Sequence, residues 1–387
     1  MSLILKILSL LCFIFLSSRA IAVEVNSLQA GLSGPGYLWS VVDGFQSEAK
    51  IDISKVYGSS TWSDSPAERL SAKTMATNVK AATAFKPSKD FVAMAEAGIN
   101  SSTHQQSMRV ENSSYSSSQN HYQFMFKSVL DRKKWIAGTS VGILTIGSEK
   151  KILNFNGQRR TVSLESVTLP IFELAGGVRY YAFETMAKMR LFSGDTAQGS
   201  TSDRFGQTRD FDVMRVSPAA FNVATSWNGI SQLMLVGEIN YEALGQLGET
   251  TNQYSSTYLD SGERVAGGAN KMAGSWAFTG GGKFFPSNDF SVKASVTWRL
   301  ASSRSPEYAS HELDNLGGWN LEGGCEFIPD SNQKLGVTFG YTIPRSLSFK
   351  NRFVDPDKEM EVPRTPGSTQ NMTSASWQGA IASTWTF

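Results

Sequence analysis

From about residue 49 onward, apolar and polar residues alternate along the chain with a period of two. This is the pattern of strands whose two faces meet different surroundings. In 290–300, Phe290, Val292, Ala294, Val296, Trp298 and Leu300 share one face, and Ser291, Lys293, Ser295, Thr297 and Arg299 share the other. In 334–343, Leu335, Val337, Phe339, Tyr341 and Ile343 alternate with Lys334, Gly336, Thr338, Gly340 and Thr342. The last segment sets Trp377, Ile381, Trp385 and Phe387 against Gln378, Ala380, Thr384 and Thr386. The pattern predicts fourteen strands, near 49–59, 75–86, 91–102, 119–129, 135–148, 165–181, 184–193, 211–227, 231–243, 271–285, 290–302, 316–327, 333–343 and 374–387.

The connections carry a second signal. Phe85-Lys86-Pro87-Ser88-Lys89-Asp90-Phe91, Phe285-Pro286-Ser287-Asn288-Asp289-Phe290 and Phe327-Ile328-Pro329-Asp330-Ser331-Asn332 are variants of one turn, and 131–134 and 228–231 serve the same purpose. Pro, Asn, Asp and Ser favour tight reversal. Between these hairpins lie polar stretches at 100–118, 194–210, 245–270, 302–315 and 345–371, so short and long connections are expected to alternate strictly. An even strand count, short turns on one side, long loops on the other and an apolar outward face are the marks of a membrane barrel. A spanning strand needs about 9–11 tilted residues, which most of these supply. In hydrocarbon every backbone N–H and C=O must be paired, which leaves helices and closed barrels. The fold expected is therefore all-β, a transmembrane antiparallel barrel of about fourteen strands. Phe91, Trp135, Trp227, Phe284, Phe290, Trp298, Phe327 and Trp385 stand near strand ends, as interfacial aromatics do.

Residues 1–22 read as an export signal, with Lys6, an apolar run over 7–16 and Ala20-Ile21-Ala22 as the cleavage site. Segment 23–48 is left as a possible plug, and 49–387 as the barrel. With 36 Lys+Arg against 34 Asp+Glu, the net charge of +2 gives no field suited to nucleic acid. Three His and two Cys, one of them in the signal, leave nothing for a zinc cluster or a disulfide, and no cofactor is called for. The terminal Phe387 is similar to the signal read by outer-membrane assembly machinery. The location implied is a Gram-negative outer membrane, with its lipid as a partner.

The hairpins, the strand count and the aromatic-terminated last strand resemble the outer-membrane transporters of long-chain fatty acids and other hydrophobic compounds, the FadL/TodX-like family. The stretch 216–227 with Pro218, followed by 233–241, looks like that family's central hairpin. Segment 318–341, with Pro329 at the turn, looks like its penultimate one. The resemblance covers the C-terminal half and implies a channel for hydrophobic small molecules such as fatty acids. An Asn-Pro-Ala element that precedes the first strand in that family is absent here, where Leu32-Ser33-Gly34-Pro35-Gly36 could form only a small plug. The alternative function is a general porin-like or structural barrel. A barrel enzyme and a surface adhesin are further classes.

A barrel this wide is not filled by its wall's side chains alone. Alternation turns Glu96, Lys127, Arg179, Glu238, Lys293, Arg299, Glu322 and Glu326 inward. Arg179, Lys293 and Arg299 are the candidate ligand-binding residues, because a cation in an apolar pocket suits a carboxylate head group. The competing reading has them solvating and cross-linking the lumen. Pro170 and Pro218 each remove a ladder hydrogen bond. Each marks either a bulge or strand end, or a kink that opens a gap through which an apolar ligand leaves sideways. His104 and His311 are expected in loops and His121 at the head of a strand, with no nucleophile motif around them, so no catalytic residue is assigned. Gly280-Gly281-Gly282 lacks the residues of a phosphate loop and is read as relief of crowding in a strand. The 355–361 segment has no calcium-loop pattern, and Cys325 is expected to face lipid.

Overall fold

The computed structural model describes residues 44–62, 69–88, 90–108, 113–132, 134–155, 158–202, 208–217, 219–242, 255–258, 264–266, 275–300, 317–330, 332–350 and 369–386. The strands are β1 (Gly44–Trp62), β2 (Arg69–Ser88), β3 (Phe91–Met108) and β4 (Ser113–Asp131). Four strands run in two collinear segments each: β5 (Trp135–Ile146, Glu149–Phe155), β6 (Gln158–Leu164, Val167–Tyr180), β7 (Phe183–Arg190, Ser193–Ser202) and β8 (Thr208–Ser217, Ala220–Ile230). They are followed by β9 (Leu233–Glu242), β10 (Ser275–Ser287), β11 (Phe290–Arg299), β12 (Gly318–Asp330), β13 (Gln333–Lys350) and β14 (Thr369–Thr386). Each pairs antiparallel with the next, and β14 returns to β1 through Ile381↔Ile51, so fourteen strands close into a barrel. Every one of the fourteen expected strands overlaps its counterpart.

The two faces are chemically inverted relative to a soluble protein. On β11, Phe290, Val292, Val296 and Trp298 are exposed, while Ser291, Lys293, Ser295 and Thr297 are buried. On β4, Tyr122, Phe124, Phe126 and Leu130 face out, and Met125, Lys127 and Val129 face in. Apolar side chains exposed in this way have a favourable partner only in lipid. Aromatics border the band. Tyr241, Trp276, Phe278, Trp298 and Trp319 form a row of ring-to-ring contacts, stacked in the middle and tilted at both ends, near the loop-side ends of β9 to β12. Phe85, Phe91, Trp135, Phe183, Phe284, Phe290, Phe327 and Trp385 mark the turn side.

The repeated turn motif has a geometric cause. In β2–β3, the ladder passes from Phe85↔Ala93 to Ser88↔Phe91, so Lys86 and Pro87 together oppose Val92. The same one-residue shift occurs at Phe284/Ser287 and at Phe327/Asp330, which places Pro286 and Pro329 in the extra position. A proline costs nothing at a bulge, where the ladder asks for no N–H. In the β8–β9 hairpin Asn228 and Gly229 occupy the bulge instead. Neighbouring turns are tied by backbone bonds such as Phe285 N–H to Gln232 O, 2.9 Å, and Ile328 N–H to Asp289 O, 2.8 Å.

Several expected loops are strands. The polar stretch 100–118 continues β3 to Met108 and begins β4 at Ser113, paired from Asn100↔His121 to Met108↔Ser113. Segment 194–210 is likewise largely strand, and β5 and β6 pair as far as Phe155↔Gln158, so connections do not alternate strictly in length. Above the membrane both faces meet water, both carry polar residues, and the period-two signal disappears although pairing continues. His104 therefore lies in β3, not in a loop, and His121 lies within β4 rather than at its head. β1 begins at Gly44, five residues before the expected first strand. The rim is uneven: β13, β14 and β1 to β4 have 18 to 20 residues each, whereas β11 has 10. A hairpin of Ser255–Tyr258 and Arg264–Ala266 leans on β8 through Phe211↔Tyr258. The signal assignment, 1–22, and the plug assignment, 23–48, as far as residue 43 lie outside the described residues, residues 44–48 of the latter being part of β1; those of Pro218, His311, 355–361 and Phe387 also lie outside them.

Phe126 is 55% exposed near the middle of the apolar band. Phe126→Arg is expected to destabilise the barrel by about 2–4 kcal/mol, the cost of a cation at the bilayer midplane. Urea titration in lipid vesicles checks this, and a change below about 0.5 kcal/mol would contradict the assignment of the outer face.

Candidate functional site

The strand-to-strand ladder has one long interruption among the described residues. β6 and β7 pair from Tyr180↔Phe183 to Glu173↔Arg190 and again from Leu164↔Gly199 to Val162↔Thr201. The register is the same on both sides of the break. Between them, 165–172 and 191–198 run alongside each other with no ladder pair. Single backbone bonds close the ends, Leu191 N–H to Phe172 O at 3.0 Å and Glu165 N–H to Gln198 O at 2.9 Å.

Pro170 stands in this stretch. Its strand is neither ended nor bulged, because Pro170 pairs with Ile143 on the β5 side. Residues two apart turn their backbone groups to the same neighbour. Since the Phe172 carbonyl points at β7, position 170 does too, and proline has no N–H to offer there. Across the seam the Thr196 N–H is taken by the Asp195 carboxylate at 2.8 Å, a side chain standing in for a ladder partner. Side chains close what the backbone leaves open. Ile146, Val167, Leu169 and Ala197 form one buried apolar cluster, with Leu144 against it, and Ala197 reaches it from the β7 side. On the outer face Phe172, Leu191 and Phe192 are exposed, which sets the lower end of the seam in the lipid band.

The inner wall elsewhere is charged and internally paired. Three carboxylates are each held by two cations: Glu96 by Lys127 at 2.7 Å and Lys80 at 3.9 Å, Glu173 by Arg190 at 2.8 Å and Lys188 at 3.7 Å, and Glu326 by Lys293 at 2.8 Å and by Lys283. Arg215 pairs with Glu149 at 3.2 Å, and Lys50 with Asp52 at 2.7 Å. A glycine makes room for one of these. A Cβ on Gly324 would lie 2.3 Å from the Val337 carbonyl and 3.2 Å from Lys293 Cε, so glycine here leaves Lys293 room to pass over position 324 to Glu326. The Gly280–Gly282 run sits inside β10, where a Cβ on Gly281 would meet Ala294 O at 2.7 Å, in keeping with relief of crowding. On β8 and β9, the Glu238 carboxylate accepts from Asn222 and from Asn240 at 2.6 Å. Two buried atoms of opposite character, Lys188 Nζ and Glu238 Oε2, have no hydrogen-bond partner in this part of the wall.

The three candidate ligand residues do not come together. Arg179, at the turn end of β6, is bound by Asp131 at 2.6 Å and Glu184 at 3.0 Å, and clamps two turns. Lys293 is paired as above. Arg299 ends β11 on the loop side, exposed and without an ion pair among the described residues, and the opposite charge acting on it is that of Glu242. Glu96, Lys127, Glu238, Glu322 and Glu326 are buried in the interior as the alternation implied. Lys188 and Arg190 escape the alternation because Met186, Ala187 and Met189 put apolar residues on both faces of β7, and Glu173 escapes it because Leu169 and Ile171 on its own face of β6 are as apolar as Phe172 and Leu174 on the other. His121 faces inward near Arg215 and Glu149, and no hydrogen bond joins it to a serine or aspartate among the described residues. No group of three His, Cys, Asp or Glu there is arranged for a metal ion. Cys325 alternates with the buried Glu326 and lies on the outward side of β12.

No protein-family model matches the sequence, and no curated protein matches it in sequence. Solved structures match the fold. A crystal structure of a Pseudomonas aeruginosa FadL homologue superimposes with a TM-score of 0.70 at 9% identity, covering 96% of this chain and 99% of that one. The P. putida toluene transporter TodX gives 0.64 at 10% identity over 92% and 93% of the two chains. The Ralstonia pickettii toluene transporter TbuX gives 0.59 at 10% identity over 92% and 94%. This chain thus has the barrel fold of the FadL and TodX structures over nearly its whole length.

Removing one partner of a buried charge cluster leaves the others uncompensated. Glu326→Ala, which strands Lys283 and Lys293, is expected to cost about 3–5 kcal/mol in urea unfolding. Lys188→Met removes a cation that has no hydrogen bond and is expected to cost under about 1 kcal/mol. Equal effects would contradict the pairing described.

Proposed function

We propose that this protein is an outer-membrane channel that passes hydrophobic small molecules, long-chain fatty acids among them, from the loop side through the barrel wall. The observation that carries this reading is the β6–β7 seam, where an apolar cluster inside the lumen is separated from lipid by side chains alone. A water-filled pore has no use for a greasy inner patch beside a break in the ladder. An apolar solute does, because each step from patch to seam to lipid keeps it out of water. The similar structures, toluene transporters and a FadL homologue among them, support the same class of cargo. Arg299, at the loop-side mouth, is assigned the carboxylate head group of a fatty acid. Arg179 and Lys293, whose charges are occupied by wall carboxylates, are assigned to holding the lumen together. Export through residues 1–22, a small plug from the segment before β1 and recognition of Phe387 during assembly complete the reading.

Extending the shared register across the seam sets Thr168 opposite Asp195. With Cys325 replaced by Ser, a Thr168→Cys/Asp195→Cys pair is expected to lock the seam when oxidised. Uptake of labelled toluene or oleate into cells should fall at least tenfold and recover on reduction. Uptake that is indifferent to the cross-link would refute the lateral route. Arg299→Gln is expected to slow oleate several-fold and leave toluene unchanged. Equal slowing of both would remove Arg299 as the head-group residue.

A further inference from the structure

On the outside of β1 the apolar band ends at Ile51 and Ile53, and the next two outward positions are Lys55 and Tyr57. Lys55 lies opposite Met75 on β2 and Trp377 on β14, and Tyr57 lies opposite Lys73 on β2. Lys55 and Lys73 are therefore diagonal neighbours on one surface, where side chains as long as lysine reach each other. Lys55 Nζ stands 4.6 Å from the centre of the Tyr57 ring, and both lysines act on the Tyr57 phenol.

Among the described residues no acidic side chain balances these two charges. Among the described residues neither lysine belongs to an ion pair. The outward positions of β14, β1, β2 and β3, fixed by the shared register, carry no Asp or Glu. Those around the two lysines are Ser59, Ser71, Thr77, Thr103, Gln105 and Thr373, which are uncharged donors and acceptors. Like charges placed together on a sheet repel unless an anion sits between them. The height of the cluster identifies that anion's carrier. Ile51, Ile53, Val79 and Ile99 lie just below it on the lipid face, Tyr57 and Trp377 are the aromatics of an interface, and the strands above continue as polar hairpins.

We infer that Lys55 and Lys73, flanked by Tyr57 and Trp377, form a binding site on the outer surface of the barrel for the phosphate group of an outer-leaflet lipid. The ammonium groups bind the phosphate oxygens, the neighbouring hydroxyls add hydrogen bonds, and the acyl chains lie along Ile51, Ile53 and Val79. This inference rests on the barrel's placement in an outer membrane and is independent of transport.

The test uses the full barrel in non-ionic detergent, with phosphorylated lipopolysaccharide as the probe and retention read by native mass spectrometry. The Lys55→Gln/Lys73→Gln double variant is expected to retain at least tenfold less, and Lys134→Gln at the opposite rim to retain the normal amount. Lipopolysaccharide stripped of phosphate by a phosphatase should bind the unaltered barrel as poorly as intact lipid binds the double variant. Undiminished retention by the double variant, or equal binding of the dephosphorylated lipid, overturns the site. A heat-dependent shift in gel mobility verifies that the variant is folded. Unchanged toluene uptake by the variant separates this result from the transport reading.

Discussion

A peptide group inside a bilayer has no water to bond with, and everything else in this molecule follows from that. The chain answers by pairing each strand with the next and the last with the first, so that β14 meets β1 over almost their full lengths. Once the backbone is satisfied by closure, the side chains are free to follow the solvent. Leucine, valine and phenylalanine go outward and lysine and glutamate inward, the reverse of a soluble sheet. Charges brought inside must then be compensated by one another. The lumen accordingly holds Glu96, Glu173 and Glu326 each gripped by two cations, while Glu238 takes amide hydrogen bonds in their place.

The spanning part of the fold was legible because one rule governs it. Where lipid touches one face and the lumen the other, residues two apart must match, and β11 shows this without exception from Phe290 to Trp298. The rule lapses as soon as the environment becomes symmetrical. Ser101 to Ser107 and Ser113 to Asn120 form a ladder of the same regularity, yet both faces are wet and the composition reads as loop. The turn motif was visible as a repeat, while its cause, a proline filling the unpaired position of a bulge, needed the register.

The site was legible in part. Alternation picked out Glu96, Lys127, Lys293 and Glu326 as interior residues, but it has no means of saying which interior charge meets which. The partner of Lys293 lies 33 positions away on another strand, and Lys293 reaches it over Gly324. Pro170 was recognisable as a missing donor. Whether that donor faced a neighbour or a void was set by the parity of Phe172 and by the course of β7, neither of which is written locally.

The seam between β6 and β7 differs from the rest of the wall in what must be given up to part it. Elsewhere the strands are zipped, and separating them would strip peptide groups of their partners in a medium with no substitute. At Val167, Leu169 and Ala197 only contacts between hydrocarbon surfaces are lost. On the lateral route proposed above, a molecule of the same character replaces those contacts as it displaces them, so the traveller acts as its own lubricant. A hydrated ion, with nothing of the kind to lend, finds the same stretch shut.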